Sequence, residues 1–193
     1  MDTKLDAFSD VSLILLQKSH AKALFQLVDN NRDFLRQWLP WVDATVALSD
    51  TEAFLEGIVE QYRSGRGPQF AVYWRSRLCG VCGFHAFDKR RAQTGSVGYW
   101  LAEEYAGLGI MTQAVKELLE IGFKECRLNR IEIACATGNH RSRAIPQRLG
   151  FYYEGVLPER ELLNGRRVDH ALYTLLLEEY LNTVPHRSSP NPT

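Results

Sequence analysis

The stretch GSVGYWLAEEYAGLGIMT, residues 95–112, decides the fold of this chain. Its first half, GSVGYWLA, is rich in β-branched and aromatic residues and predicts a strand. A turn with Gly107 and Gly109 follows, and then an amphipathic helix from about Thr112 to Arg127. Glycines let the backbone approach a ligand closely, and the free N–H groups at a helix start favour an anion. The stretch therefore predicts a phosphate cradle built from main chain, although a tight turn without a ligand has the same signature.

A second strand and helix follow this unit along the chain. RIEIACAT, residues 130–137, is rich in β-branched residues and predicts a strand. Asn139 stands after it, and HRSRAIPQRLG, residues 140–150, predicts a short helix that ends at Gly150. Neither unit has the lysine of a Walker A loop or the spacing G-x-G-x-x-G. These two nucleotide-binding motifs are therefore excluded.

The rest of the chain contributes antiparallel strands and further helices. Before the glycine turn, periodicity predicts a strand over 12–17, helical segments from Ser19 to Asn30 and over 34–41, and a helix from Ser49 to Gly65 with a capping box of Ser49 and Glu52. A hairpin over 69–75 and 78–87 follows that helix. The end of the chain predicts a long hairpin over 151–163 and 166–177 around the Asn164-Gly165 turn. Strands and helices alternate only in the middle of the chain. This order predicts a mixed α/β sheet rather than a doubly wound parallel one.

Composition and charge limit the functional classes. The 193 residues are 45% hydrophobic and carry 23 basic and 23 acidic side chains, as in one globular domain. A net charge of zero gives no support for direct nucleic-acid binding. No apolar run reaches the roughly 18 residues of a membrane helix, and we see no signal peptide, so we predict a cytoplasmic protein without membrane contact. We expect a single domain over residues 1–181 and a disordered, proline-containing tail over 182–193.

The four cysteines do not indicate a zinc site or a disulfide framework. Cys79 and Cys82 form a C-x-x-C pair, but no second pair accompanies them, and Cys126 and Cys135 stand alone. The stretch LCGVCGF predicts a strand, in which residues three apart face opposite sides. We therefore expect buried free thiols, a reducing compartment and no metal site.

Four motifs in the same order resemble the GNAT acyltransferase superfamily, and within it the Rim (RimJ/RimL) subgroup, which acetylates N-termini of ribosomal proteins. They are FLRQWLPW, GSVGYWLAEEYAGLGIMT, NRIEIACATGNHRSRAIPQRLGF and ELLNGRRVDHALY, and the resemblance runs from about residue 10 to about residue 180. In the family's glycine-loop pattern, Gln/Arg-x-x-Gly-x-Gly/Ala, Glu104 takes the first position and departs from it. The resemblance implies an α/β GNAT fold: a mixed, mostly antiparallel central sheet with splayed parallel strands in the middle, flanked by helices.

The resemblance also implies acetyl-CoA as co-substrate, bound where strands 95–102 and 130–137 splay apart. Main-chain groups near Leu101 would pair with the pantetheine arm, and Asn139 would meet it from the other strand. The pyrophosphate would lie on the backbone of the glycine turn, formed by Gly107, Leu108, Gly109, Ile110, Met111 and Thr112. An amine would then attack the thioester directly.

Two catalytic residues follow from the same resemblance. The tyrosine donor of many GNAT enzymes is replaced here by Pro146, and the Rim-type serine maps to Ser142, although a helix-capping serine would stand in the same place. The Rim-type general base maps to Glu161, for which a solvated strand residue is the alternative. A protein α-amine has a pKa of about 7.7–8.0, so mild base assistance is enough. Alternation along the strand predicts Glu159 and Glu161 on one face.

The acceptor side carries two further candidate pairs. Trp38 and Trp41 lie in the region that covers the acceptor in the family, with core packing as the alternative. Asp169 and His170, on the partner strand of the last hairpin, are candidate substrate-binding residues and the next candidate pair for the base, with a structural hydrogen bond as the alternative. The leading acceptor is a ribosomal-protein N-terminus. A small amine (a polyamine, an amino sugar or an aminoacyl compound), a non-catalytic acyl-CoA binding module and a homodimer remain open.

Overall fold

The computed structural model describes residues 10–88 and 93–183, which form a seven-stranded sheet flanked by helices. The strands are β1 (Val11–Leu15), β2 (Gln69–Trp74), β3 (Arg77–Asp88), β4 (Thr94–Leu101), β5 (Arg130–Ala136), β6 (Tyr152–Leu163) and β7 (Arg166–Leu176). They lie in the order β1-β2-β3-β4-β5-β7-β6. The central neighbours β4 and β5 run parallel, and the other neighbours run antiparallel. The predicted mixed sheet with parallel strands in its middle is confirmed.

Helices cover the sheet on both sides. The α-helices are α1 (Ala21–Asp29), α2 (Arg32–Leu35), α3 (Leu48–Arg63), α4 (Ile110–Glu120), α5 (His140–Arg148) and α6 (Leu177–Thr183). Short 3-10 turns lie at Lys18–His20, Pro40–Ala44 and Glu103–Tyr105, and a π-helical turn over Ile121–Glu125 continues α4. The long predicted helix after the glycine turn therefore ends as an α-helix at Glu120.

Alternation of side chains assigns the two faces of the sheet. Val97 of β4 and Ile133 of β5 are buried in one core cluster with residues of α4 such as Leu118, so we call this side the α4 face. On the opposite side, Val81 of β3 packs with residues of α1 and α3, and Trp100 of β4 adds to that cluster. We call this side the α3 face.

Strands β4 and β5 pair over a short length and then separate. Their last parallel pair joins Val97 to Ile133. Beyond it, residues 98–101 of β4 continue to pair with β3, and residues 134–136 of β5 continue to pair with β7. The sheet therefore contains an opening between these two segments, which we call the gap.

Helix α3 begins earlier than the sequence pattern predicts. Its N-cap is Ala47, and Oδ2 of Asp50 accepts hydrogen bonds from the N–H groups of Val46 and Ala47, at 2.8 Å each. The predicted capping box of Ser49 and Glu52 is therefore wrong. Asp50 takes this role because its carboxylate reaches back to the free N–H groups that precede the first helical turn.

The last strand passes directly into α6. Tyr180 of this helix is buried and stacks on Phe123, with ring centroids 4.8 Å apart, which anchors the helix on the α4 side. Because α6 includes residues 182 and 183, the predicted disorder of the tail over 182–193 is wrong at its first two positions. The remaining residues of that tail, 184–193, lie outside the described residues.

The cysteines are free thiols, and Cys79 faces the same side of the sheet as Cys82, which differs from the prediction. Cys79, Cys82 and Cys135 are buried, and Cys126 is half-buried. The register between β2 and β3 shifts at Cys79, so Cys79 turns into the same core cluster as Cys82, and the prediction of opposite faces is wrong. Burial raises the pKa of Cys79 to about 12, which keeps this thiol protonated at neutral pH.

Candidate active site

The glycine turn leads from β4 into α4 through two left-handed residues. The φ angle is +81° at Gly107 and +78° at Gly109, and Gly109 is the N-cap of α4. A Cβ on either residue would meet no atom within 4 Å, so the backbone conformation rather than crowding favours glycine. The N–H of Gln113 donates to the carbonyl of Gly109 at 3.0 Å, so the N–H groups of residues 110–112 precede the first helical bond. These N–H groups and the helix dipole make the turn suited to bind an anion, and we call it the anion site.

A cleft of about 1080 Å³ joins the glycine turn to the gap. The predicted cofactor-binding residues all line it: Leu101, Gly107, Leu108, Gly109, Ile110, Met111, Thr112 and Asn139. His140, Arg141 and Arg148 line the same cleft, and the two arginines give it positive charge suited to phosphate. Among the residues that the structure describes, Glu104 is not part of this lining. The position that departs from the family pattern therefore lies outside the lining of the cleft.

Asn139, rather than Ser142, caps helix α5. Oδ1 of Asn139 accepts a hydrogen bond from the main-chain N–H of Ser142 at 3.0 Å. The Ser142 hydroxyl is therefore not needed for capping, and it donates instead to the hydroxyl of Tyr99 at 3.3 Å. Tyr99 in turn donates to the main-chain carbonyl of Ser142 at 3.0 Å. This hydroxyl pair lines the cleft where β4 and α5 meet.

The same serine is in contact with a sulfur atom. Cys135 lies on β5 beside the gap, and burial raises the pKa of its thiol while a hydrogen bond with the Ser142 side chain opposes that rise. Burial also raises the pKa of Tyr99 well above the usual range for a phenol, so the phenol stays protonated. The cleft therefore contains two protonated hydroxyl groups that are hydrogen bonded to each other.

Of the two predicted tryptophans, Trp38 lines the cleft and Trp41 packs beside a third tryptophan, Trp100. Trp38 lines the cleft, and its ring lies 3.6 Å from the position that a Cβ on Gly138 would take. Trp41 is 37% exposed and is not part of the described lining. Its ring centroid lies 6.0 Å from that of Trp100, and Trp100 does line the cleft. The three rings form an aromatic wall that is only partly buried.

Glu161 and His170 form a pair on the last hairpin. Nε2 of His170 donates to Oε2 of Glu161 at 3.2 Å, and the two side chains are 13% and 31% exposed, respectively. His170 lies opposite Ala136 of β5 in the register and alternates with the buried Ala171, so it faces the α3 side at the end of the gap. Neither residue of the pair belongs to the described lining of the cleft.

Asp169 and Glu159, two further acidic residues of this hairpin, have structural partners. Oδ1 of Asp169 accepts from the N–H of Glu159 at 2.8 Å, and the Asp169 carbonyl accepts from the N–H of Thr137 at 2.9 Å. The carboxylate of Glu159 pairs with Arg167 at 2.7 Å. Because β6 is irregular between residues 157 and 161, the simple alternation that places Glu159 and Glu161 on one face is broken, and the two carboxylates take different partners.

Sequence reasoning missed part of this site. Tyr99 and Trp100 line the cleft, as do Arg141 and Arg148 of α5. Tyr99 carried a usable signal, because it precedes Leu101 by two residues on a strand and must share its face. The arginines carried none, since a basic residue on a short helix is most often solvated.

Parallel strands that separate beside a backbone anion site, with hydroxyl groups in the cleft between them, are the features of an acyltransferase. The chain belongs to the acetyltransferase (GNAT) domain family, whose model matches residues 10–152.

Individual relatives agree with this assignment. The chain is 33% identical over 176 residues to the Bacillus subtilis (strain 168) protein YdaF, which is named provisionally as a ribosomal N-acetyltransferase, and the match covers 88% of this chain and 93% of YdaF. The structure of RimL, a ribosomal L7/L12 alpha-N-protein acetyltransferase in complex with coenzyme A, superposes with a TM-score of 0.83 at 28% identity, covering 88% of this chain and 95% of RimL. The microcin C7 self-immunity acetyltransferase MccE, in complex with acetyl-CoA and AMP, has a TM-score of 0.81 at 26% identity, covering 86% and 92%.

Within residues 10–88 and 93–183, the helices are too short or too polar to cross a membrane.

Proposed function

We propose that this acetyltransferase uses acetyl-CoA to acetylate a protein N-terminal α-amine, by direct attack of the amine on the thioester, and that residues 1–181 act as one catalytic domain. The observation that carries the proposal is the gap between β4 and β5. One cleft joins this gap to the anion site at the glycine turn, and Ser142 lines the same cleft. The alpha-N-protein activity of RimL, at a TM-score of 0.83, supports the choice of acceptor.

The described residues fit acetyl-CoA along its length. The free N–H groups of residues 110–112 suit the pyrophosphate, and Arg141 and Arg148 add positive charge beside it. The backbone edges of residues 98–101 and 134–136 face the gap and suit the amide groups of the pantetheine arm. Asn139 lies where the arm would pass from the turn into the gap.

In this arrangement Glu161 is the general base and Ser142 the donor to the departing sulfur. The hydrogen bond from His170 holds the Glu161 carboxylate toward the α3 face, from which the amine approaches. Glu161 accepts a proton from the ammonium form, and the neutral amine attacks the thioester carbon. The carbon–sulfur bond then breaks with its electron pair on sulfur, the Ser142 hydroxyl donates a hydrogen bond to the thiolate, and the second proton leaves the nitrogen as the amide forms. Trp38 and Trp41 wall the acceptor side.

An assay of thiol release with a panel of acceptors tests the proposal. We expect turnover with peptides that carry a free N-terminus and none with the same peptides after N-terminal blocking, because the α-amine is the nucleophile. Turnover of a blocked peptide that retains lysine would contradict α-amine specificity. Binding of acetyl-CoA without turnover of any acceptor would instead indicate a non-catalytic acyl-CoA binding module.

A small-molecule amine is the second candidate acceptor. The similarity to MccE, whose structure holds AMP as well as acetyl-CoA, favours it. A nucleotide-linked aminoacyl compound, a polyamine and an amino sugar therefore belong in the acceptor panel. A kcat/KM for one of these that exceeds the value for every peptide would replace the protein acceptor by the small molecule.

A further inference from the structure

The imidazole of His85 stands over β4 at the point where the gap begins. The pairing of β3 with β4 is irregular between Phe84 and Ala86, so His85 occupies a bulge. A bulge re-aims the side chain that it carries, and bulges recur beside active sites. Here it turns the ring across the neighbouring strand, and a Cβ built on Gly98 would collide with Nε2 of His85. Gly98 therefore makes room for this ring.

This position puts His85 on the face from which the acceptor approaches. Gly98 alternates with Val97, which faces α4, so the ring over Gly98 lies on the α3 face together with Trp100. Gly98 is also the first residue of β4 beyond the last pair with β5. Across the gap, Ala134 is exposed, so small residues leave open space next to the ring.

His85 differs from the paired histidines of the chain. His20 hydrogen bonds to Gln17, and His170 to Glu161, whereas neither ring nitrogen of His85 has a partner among the described residues. Solvent reaches the residue, but the packing of its ring against β4 removes water from one side and lowers its pKa below the usual value for histidine. A neutral imidazole with a free lone pair is a proton acceptor at neutral pH.

We propose that His85 is a second proton acceptor for the attacking amine, on the opposite side of the gap from the Glu161–His170 pair. This inference rests on the proposed function. An ammonium substrate loses one proton before attack and a second as the amide forms, and Glu161 takes the first. Nε2 of His85 takes the second while the amide forms and the carbon–sulfur electron pair leaves on the thiolate. The thiolate accepts a hydrogen bond from the Ser142 hydroxyl and a proton from water.

Removal and chemical rescue of the imidazole test this role. With acetyl-CoA and a peptide that wild type acetylates, we expect His85→Gln and His85→Ala to lower kcat/KM by about 10²-fold, the lower end for loss of a general base, with unchanged acetyl-CoA affinity. Added imidazole should restore activity to His85→Ala but not to Glu161→Gln. His20→Gln, which removes a histidine far from the gap, is the matched control and should behave as wild type.

A second variant tests the geometry without removing the ring. Gly98→Ala places a methyl group where Nε2 now lies, so it should lower kcat/KM like His85→Gln. The kcat/KM of the double variant should be no lower than that of the less active single variant, because both changes remove the same interaction.

Each outcome decides between two statements. Wild-type activity in the His85 variants, or a loss that imidazole does not rescue, would overturn the role of His85 while leaving the proposed function intact. A wild-type protein that acetylates no acceptor would overturn the proposed function and this inference with it.

Discussion

The two sides of the gap present different kinds of chemical group. At the glycine turn, the anion site consists of main-chain N–H groups whose direction is fixed by the φ angles of Gly107 and Gly109. On the α3 face, the groups around the gap are side chains delivered by separate elements: Trp38 and Trp41 after α2, His85 from a bulge in β3, and Glu161 with His170 from the last hairpin.

This difference has a consequence for sequence change. A backbone site tolerates side-chain substitution as long as the conformation is kept, whereas a side-chain site depends on each group and on every element that carries it. Cofactor binding should therefore respond mainly to changes of backbone conformation. Acceptor chemistry should respond to single side chains.

The sharpest test of the side-chain half is Glu161→Gln, for which we expect the largest effect. If Glu161 accepts the amine proton, kcat/KM should fall by roughly 10²–10⁴-fold. The loss should shrink as the pH rises through about 7.7–8.0, because more of the α-amine is then already neutral. A pH–rate profile of wild type and variant, at two ionic strengths, measures this.

Two results would argue against Glu161 as the base. A raised KM that salt weakens would mean that the carboxylate only attracts the cationic amine. An undiminished kcat with a parallel pH profile would remove Glu161 from the mechanism and shift attention to His170. Glu159→Gln is the matched control, since that carboxylate pairs with Arg167 on the same hairpin.

Ser142→Ala tests a side chain that belongs to the cofactor half. We expect kcat to fall by about tenfold, a loss of about 1.4 kcal/mol, with acetyl-CoA affinity little changed, because the hydroxyl acts as the sulfur departs. The midpoint of thermal unfolding should not drop, since Asn139 accepts its capping hydrogen bond from the main-chain N–H of Ser142, which the substitution keeps. Unchanged kcat with a lower midpoint would make Ser142 structural. Ser64→Ala, at the end of α3, is the control.

Gly109→Val tests the backbone half. A β-branched residue resists a φ of +78°, at a cost of about 1–2 kcal/mol, so the turn should relax to another shape. The expected result is a Kd for acetyl-CoA roughly tenfold higher in a folded protein, measured by calorimetry. Gly57→Ala, in the open middle of α3, should leave the Kd unchanged. Unchanged affinity in folded Gly109→Val would contradict the cradle.

The smallest expected effect is that of Trp41→Ala. The ring is 37% exposed and contacts Trp100, so its loss should raise the KM for a peptide acceptor by roughly two- to tenfold, the worth of an aromatic pair. The kcat and the affinity for acetyl-CoA should stay near wild type, and Trp41→Phe should recover most of the loss. A fall in kcat at constant KM would place Trp41 outside the acceptor wall.

The same contrast explains which parts of the molecule the sequence predicts. The β4–turn–α4 unit and the strand and helix around Asn139 were predicted because their signals are local: a hydrophobic period, a glycine turn, a polar residue at a strand end. The cleft residues of that unit follow directly, and the alternation of β4 also points to Tyr99. Resemblance to the family supplied Ser142 and Glu161.

What the sequence did not predict depends on partners that are distant in the chain. The bulges at Cys79, at His85 and before Glu161 arise from the register of two strands, and no single strand encodes them. The cap of α3 was misassigned because Ser49 and Asp50 are both good capping residues, and only the backbone shows which one reaches the free N–H groups.

The short pairing between β4 and β5 affects how firmly the two halves of the sheet are held together. Four rungs of hydrogen-bonded backbone hold together two half-sheets, β1 to β4 and β5 to β7, and beyond Val97 the seam is open. A pantetheine arm carries amides of its own, so it can serve as the missing strand and close the seam. Acetyl-CoA would then stabilise the sheet as well as serve as substrate: its binding would raise the free energy of unfolding by RT ln(1 + [L]/Kd), and amide hydrogens of residues 98–101 and 134–136 would exchange more slowly. Each release of the coenzyme A product would then remove the hydrogen-bond partners of residues 98–101 and 134–136 across the gap, and each binding of acetyl-CoA would restore them.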